Sequence, residues 1–100
     1  MPRIRVASLS EIKPGALMQV ETGGVTLAVC NHDGTLHAFQ GQCPHRNGPL
    51  GQGNLADGNI VCPWHAWEFR VETGENDYNP DIVLKRYAIA VEGGDVFVDL

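Results

Sequence analysis

Two short segments of this chain carry one cysteine and one histidine each. They are Cys43-Pro44-His45 and Cys62-Pro63-Trp64-His65, with sixteen residues between His45 and Cys62. The pattern constrains the fold, because a group held by all four side chains ties two loops side by side. In the first segment the cysteine and histidine are two apart, and on an extended backbone residues i and i+2 project to the same side. In the second they are three apart, which suits a tight turn. Each loop therefore offers one sulfur and one nitrogen. Pro44 and Pro63 stiffen the loops and remove two N–H groups. A chain of 100 residues has a limited core, so a buried tie between loops helps to hold it.

The rest of the chain reads as short strands punctuated by glycine turns. Ile4 and Val6 alternate in a first strand. Residues 16–21 and 25–30 flank Thr22-Gly23-Gly24, a hairpin signal. Asn31–Gly34 turns into a strand over 35–40, with Asp33-Gly34 the strongest such signal. Residues 59–62 and 67–73 lie on either side of the second Cys/His loop. There Trp67, Phe69 and Val71 face one way, and Glu68, Arg70 and Glu72 the other. Residues 86–92, a Gly93-Gly94-Asp95 turn and 96–100 close the chain. No segment has a convincing helical period. One turn is predicted over 8–12, with Ser8 as cap and Glu11 three residues on. The expectation is a single all-β domain, 1–100, of antiparallel sheets.

Two thiolates and two imidazoles are the ligand set of a [2Fe–2S] centre in which histidines replace two of the four cysteines on one iron. The segments Cys43-Pro44-His45-Arg46-Asn47-Gly48-Pro49-Leu50 and Cys62-Pro63-Trp64-His65-Ala66-Trp67-Glu68-Phe69 resemble those of the Rieske family, specifically its soluble ferredoxins. The resemblance implies a β-sandwich base with a small cluster-binding subdomain over about 42–69. It implies one [2Fe–2S] cluster, with Cys43 and Cys62 on the inner iron and His45 and His65 on the outer iron through Nδ1. The Nε2 edges would then face solvent at the tip. Neutral imidazole leaves less negative charge on the cluster than thiolate does, so histidine ligation raises the potential above that of an all-cysteine cluster. Gly48 and Gly51 are expected to let amides approach the bridging sulfides. Asp77-Tyr78-Asn79-Pro80 resembles, weakly, the family's proline-containing third loop over the cluster.

Departures from the respiratory members of the family narrow the function. Those proteins carry a disulfide between the two ligand loops, and the matching positions here are Gly48 and Trp64. They also place a serine and a tyrosine as hydrogen-bond donors to the cluster, where this chain has Trp67 and Phe69. Fewer donors lower the potential, to a value of roughly −150 mV. The implied function is an electron-transfer ferredoxin. It takes one electron from a flavin-dependent reductase and passes it to a terminal oxygenase of the aromatic-ring-hydroxylating kind. An alternative within the same fold is the small subunit of an NADH-dependent nitrite reductase. A zinc site built from two cysteines and two histidines is a third reading, although zinc fingers usually pair like ligands along the chain.

Composition and motifs remove other classes. The net charge of −5 argues against nucleic acid and is compatible with a basic partner surface. No apolar run reaches the length of a membrane span, and the N-terminal residues lack the apolar stretch of a signal peptide, so a cytoplasmic location is expected. Nothing in the sequence demands more than a monomer when the carrier is free. No Gly-rich nucleotide loop for NADH or flavin is present. After the four candidate ligands only His32 and His37 remain, read as surface or half-buried strand histidines in the base. They cannot supply the two histidines and a carboxylate of an oxygenase iron on this reading, so the chain is expected to have no substrate site of its own. Cys30 is read as a buried, inert thiol in a half-buried strand.

Overall fold

Hairpin turns set the strand pairing. The computed structural model describes residues 3–44, 46–64 and 66–100. Among them the strands are β1 (Arg3–Ser8), β2 (Leu17–Thr22), β3 (Val25–His32), β4 (Thr35–Gln40), β5 (Asn54–Ala56), β6 (Asn59–Val61), β7 (Glu68–Arg70), β8 (Arg86–Glu92) and β9 (Asp95–Asp99). Short 3₁₀ turns span Leu9–Glu11 and Leu50–Gln52. The first is the turn expected after Ser8, whose N–H donates to Glu11 Oε1 at 2.8 Å.

Gly23-Gly24, Asp33-Gly34 and Gly93-Gly94 form two-residue hairpin turns with both residues at positive φ, the backbone that matches the twist of the flanking strands. Asp57-Gly58 (φ 51° and 79°) makes a further one, between β5 and β6. Strand β5 was not expected. Asn54-Leu55-Ala56 is three residues long and has no β-branched side chain, so its own propensity is weak. The Asp-Gly pair was the available signal.

Six strands form an antiparallel sheet in the order β1-β9-β8-β4-β3-β2. Strands β4 and β8 meet only at Ala38↔Tyr87 and Phe39↔Arg86, whereas β2, β3 and β4 pair along their length. The sheet therefore folds over at this short seam. Its two halves enclose one core, with Val20, Leu27, Val29 and Ala38 from one side and Ala7, Val96 and Val98 from the other. This is the sandwich base, closed toward a barrel. In β1 the register slips between Arg5↔Phe97 and Ala7↔Val96, so the expected simple alternation of Ile4 and Val6 is broken by a bulge. Ala7 takes the buried position.

Strand β3 is not half-buried as expected but covered on both faces. Leu27 and Val29 enter the base core, and Ala28 and Cys30 enter a second one. That is the physical meaning of the unbroken apolar run Leu27–Cys30. The second core lies under the antiparallel sheet β5-β6-β7, where Leu50, Ile60, Phe69, Val71 and Leu84 pack with Phe39 of β4. Full burial of each large apolar side chain contributes about 1.5–3 kcal/mol. Arg86 braces this junction. Its Nη1 donates to the Glu72 carbonyl, its Nη2 lies 3.0 Å from His37 Nδ1, and its guanidinium sits 5.3 Å from the centroid of the Phe39 ring.

Candidate metal centre

The described residues of the two segments singled out in the sequence fold as equivalent loops. The first leaves β4 through Gly41, whose N–H donates to the Thr26 carbonyl at 2.9 Å and whose own carbonyl accepts from Leu50 N–H at 3.0 Å. The Cys43 N–H donates to the Gly48 carbonyl at 2.8 Å, which closes a six-residue loop. The second leaves β6, and the Cys62 N–H donates to the Trp67 carbonyl at 2.8 Å, which closes another. Each loop has proline directly after its cysteine. Each has a non-glycine residue in the left-handed region four positions after it, Asn47 at φ 58° and Ala66 at φ 54°.

Both cysteines point inward, each with 1% of its surface exposed, into the core that holds Leu50, Ile60 and Phe69. The loops touch one another. A Cβ built on Gly48 would lie 2.8 Å from Cys62 Sγ and 3.3 Å from Trp64 Cβ. The intervening described residues Pro44, Arg46, Asn47, Pro63, Trp64 and Ala66 face outward. His45 and His65 lie outside the described residues.

Two thiols on adjoining loops, in a water-poor core with a bare glycine against one sulfur, fit the sulfur half of a metal-cluster site. Soft thiolates are the donors iron–sulfur clusters take. Cys30 is in the same core but on β3. Burial, the dominant cause, pushes its thiol up to about 11, against smaller opposing effects of Arg86 and the His37 backbone. This matches the expected inert thiol.

Gly48 lies against the Cys62 sulfur. At Gly51 a Cβ would lie 2.5 Å from Gln19 Cα, so its bareness lets the 3₁₀ turn cross β2 closely. The segment Asp77–Pro80 is held by Asn76, which sequence reasoning missed. Asn76 is 2% exposed, accepts from the Tyr78 and Asn79 N–H groups, and donates to the Glu68 carbonyl of β7. His32 lines a polar cavity with Asp57, Asn59, Arg70 and Glu75, and His37 stacks on Phe39. Burial, then Arg86 and His32, lower the His37 pKa, with Glu72 acting weakly the other way.

The fold and the paired loops define a cluster-binding β domain. Residues 3–88 match the Rieske [2Fe-2S] domain model, and the chain belongs to that family, whose domain binds a [2Fe–2S] cluster. Its sequence is 38% identical over 97 residues to the biphenyl dioxygenase ferredoxin subunit of Pseudomonas sp. strain KKS102, covering 95% of this chain and 89% of that one. A chain of the complex of reduced oxygenase and oxidised ferredoxin in carbazole 1,9a-dioxygenase superposes with a TM-score of 0.85 at 30% identity, covering 96% of this chain and 91% of that one. A Mycobacterium tuberculosis protein described as an NADH-dependent nitrite reductase small subunit superposes with a TM-score of 0.85, covering 97% of this chain and 93% of that one. At 19% identity that is a likeness of fold alone. No helix among the described residues is long and apolar enough to cross a membrane.

Proposed function

We propose that the chain is the ferredoxin of a multicomponent oxygenase, carrying one electron from a flavin-dependent reductase to a terminal oxygenase that hydroxylates aromatic rings. The single observation that carries this reading is the pair of equivalent loops, each delivering a buried cysteine into the same core. Cys43 and Cys62 hold one iron and His45 and His65 the other, and residues 42–69 form the cluster-binding subdomain of a single domain, 1–100. When bound, the [2Fe–2S] group takes up and releases one electron.

The chain's own residues do the rest. Leu50, Ile60, Phe69 and Val71 exclude water around the thiols. Trp67 and Phe69 stand where respiratory relatives place hydroxyl donors, and the missing hydroxyl at Phe69 keeps the potential low. A measured potential above zero would contradict that statement. Pro44, Arg46, Pro63 and Trp64 form the outward surface of the loops, on which a partner docks. Residues 42–83 carry six carboxylates against two arginines, which favours a basic partner surface at this end. In this role the chain needs no substrate site of its own. The nitrite reductase alternative rests on fold likeness only, whereas the oxygenase ferredoxins share sequence as well.

Reconstitution tests the reading. Purified protein, a flavin-dependent reductase and a ring-hydroxylating oxygenase are combined with NADH, and product is measured. Hydroxylated product that requires this chain and is abolished by Arg46-sparing ligand variants (Cys43→Ser, His65→Ala) is the expected result. No transfer to any such oxygenase, with stable co-purification of a large sirohaem subunit, would overturn it.

A further inference from the structure

Each ligand loop is closed by its own hydrogen bond, Cys43 N–H to the Gly48 carbonyl and Cys62 N–H to the Trp67 carbonyl. Those bonds set the shape of each loop. They do not set the distance between the loops. That distance depends on what the loops present to one another, and the contact runs through Gly48. A Cβ at this position would meet Cys62 Sγ at 2.8 Å, and Trp64 at both Cβ and the ring atom Cδ2 at 3.3 Å. Trp64 is 48% exposed, so part of its indole is covered and part is open to solvent.

We propose that Trp64 seated on Gly48 is a strut that fixes the spacing of the two ligand loops, and that position 48 must stay bare because it faces the Cys62 sulfur. Trp64 is a positioning residue on this account. It carries no ligand atom, but it covers the side of Gly48 next to Cys62 Sγ and keeps the first loop from moving across that sulfur. The proposal rests on the reading of Cys43 and Cys62 as ligands. A free sulfur could yield to an added methyl group by rotating its side chain. A sulfur bound to iron is fixed, so at Gly48→Ala the loop backbone must move instead.

The test compares wild type, Trp64→Phe, Trp64→Ala and Gly48→Ala as purified proteins. Removing the strut is expected to speed loss of iron to a chelator by roughly tenfold or more, the scale on which groups that orient metal ligands act. Trp64→Phe, which keeps a ring over Gly48, is expected to stay within about threefold of wild type, since most of the orienting contact survives. Gly48→Ala is expected to change the EPR g values of the reduced protein. Amide hydrogen exchange at Cys43 and Asn47 is followed in the same samples. These amides lie in the first loop, and they are expected to exchange faster when Trp64 of the second loop is cut to alanine.

Wild-type chelation kinetics in Trp64→Ala, or an unchanged EPR spectrum in Gly48→Ala, would overturn the strut. A wild type without any iron would instead overturn the ligand assignment. The exchange rates then decide the strut independently, and unchanged rates at Cys43 and Asn47 would refute it.

Discussion

Asn76 is the buried side chain on which the segment after β7 hangs, and its removal has a calculable cost. It is 2% exposed and makes three side-chain hydrogen bonds. It accepts from Tyr78 N–H at 2.9 Å and Asn79 N–H at 3.0 Å, and donates to the Glu68 carbonyl at 3.2 Å. At about 0.5–1.5 kcal/mol net for each bond, Asn76→Ala is expected to cost about 3 kcal/mol. For a domain this size that lowers the melting temperature by roughly 12–24 °C. Asn76→Asp separates the donor from the acceptors. It keeps both contacts to the N–H groups but turns an oxygen, charged at neutral pH, toward the Glu68 carbonyl. Burial next to that carbonyl favours the protonated acid, which can donate. The folded-state pKa is therefore raised, and the aspartate variant should be best off below about pH 3.9 and lose stability as pH rises through its folded value. Urea unfolding followed by circular dichroism at several pH values measures both variants. If Asn76→Ala stays within about 0.5 kcal/mol of wild type, or Asn76→Asp matches wild type at pH 7, the reasoning fails.

Other positions give sharper local tests. His37 has a lowered pKa, caused first by burial and then by Arg86 and His32, so the unfolded chain binds its proton more readily. This contribution to stability is intact above the ordinary value of 6.5 and is lost as pH falls from there through the folded value. A urea midpoint that His37→Leu leaves with the same slope between pH 7 and pH 5 would contradict it. The buried Cys30 thiol, pushed up to about 11, should resist iodoacetamide in the native protein and react only on unfolding. Mass spectrometry showing rapid native labelling at Cys30 would refute that. Ala66 is exposed and at φ 54°, so Ala66→Gly should stabilise by about 0.5–1 kcal/mol after the entropy that glycine gives up on folding. A lower melting temperature would show that the left-handed alanine is not strained.

Much of the site was legible because its residues are chemically rare and regularly placed. Cys43 and Cys62 stand in equivalent turns whose prolines and closing residues are all local. The strands that read clearly, β2, β3, β4, β8 and β9, are those flanked by glycine turns. What sequence did not reveal depends on distant contacts. The burial of β3 on both faces requires the β5-β6-β7 sheet to lie over Ala28 and Cys30. The crossing of Gly51 over Gln19 joins residues far apart in the chain. Asn76 looks like any turn residue until Glu68 is placed beside it. Arg86 likewise reads as a surface cation, yet it joins His37, Phe39 and Glu72.

The most direct measurement is visible absorption and EPR on anaerobically purified protein, before and after dithionite, with iron and zinc counted in the same sample. A red-brown oxidised form and a reduced signal with the low average g of a mixed cysteine–histidine cluster are predicted. Both should disappear in Cys43→Ser, Cys62→Ser, His45→Ala and His65→Ala. A colourless, EPR-silent protein with stoichiometric zinc would contradict the electron-transfer account, as would any of the four variants that keeps the wild-type signal.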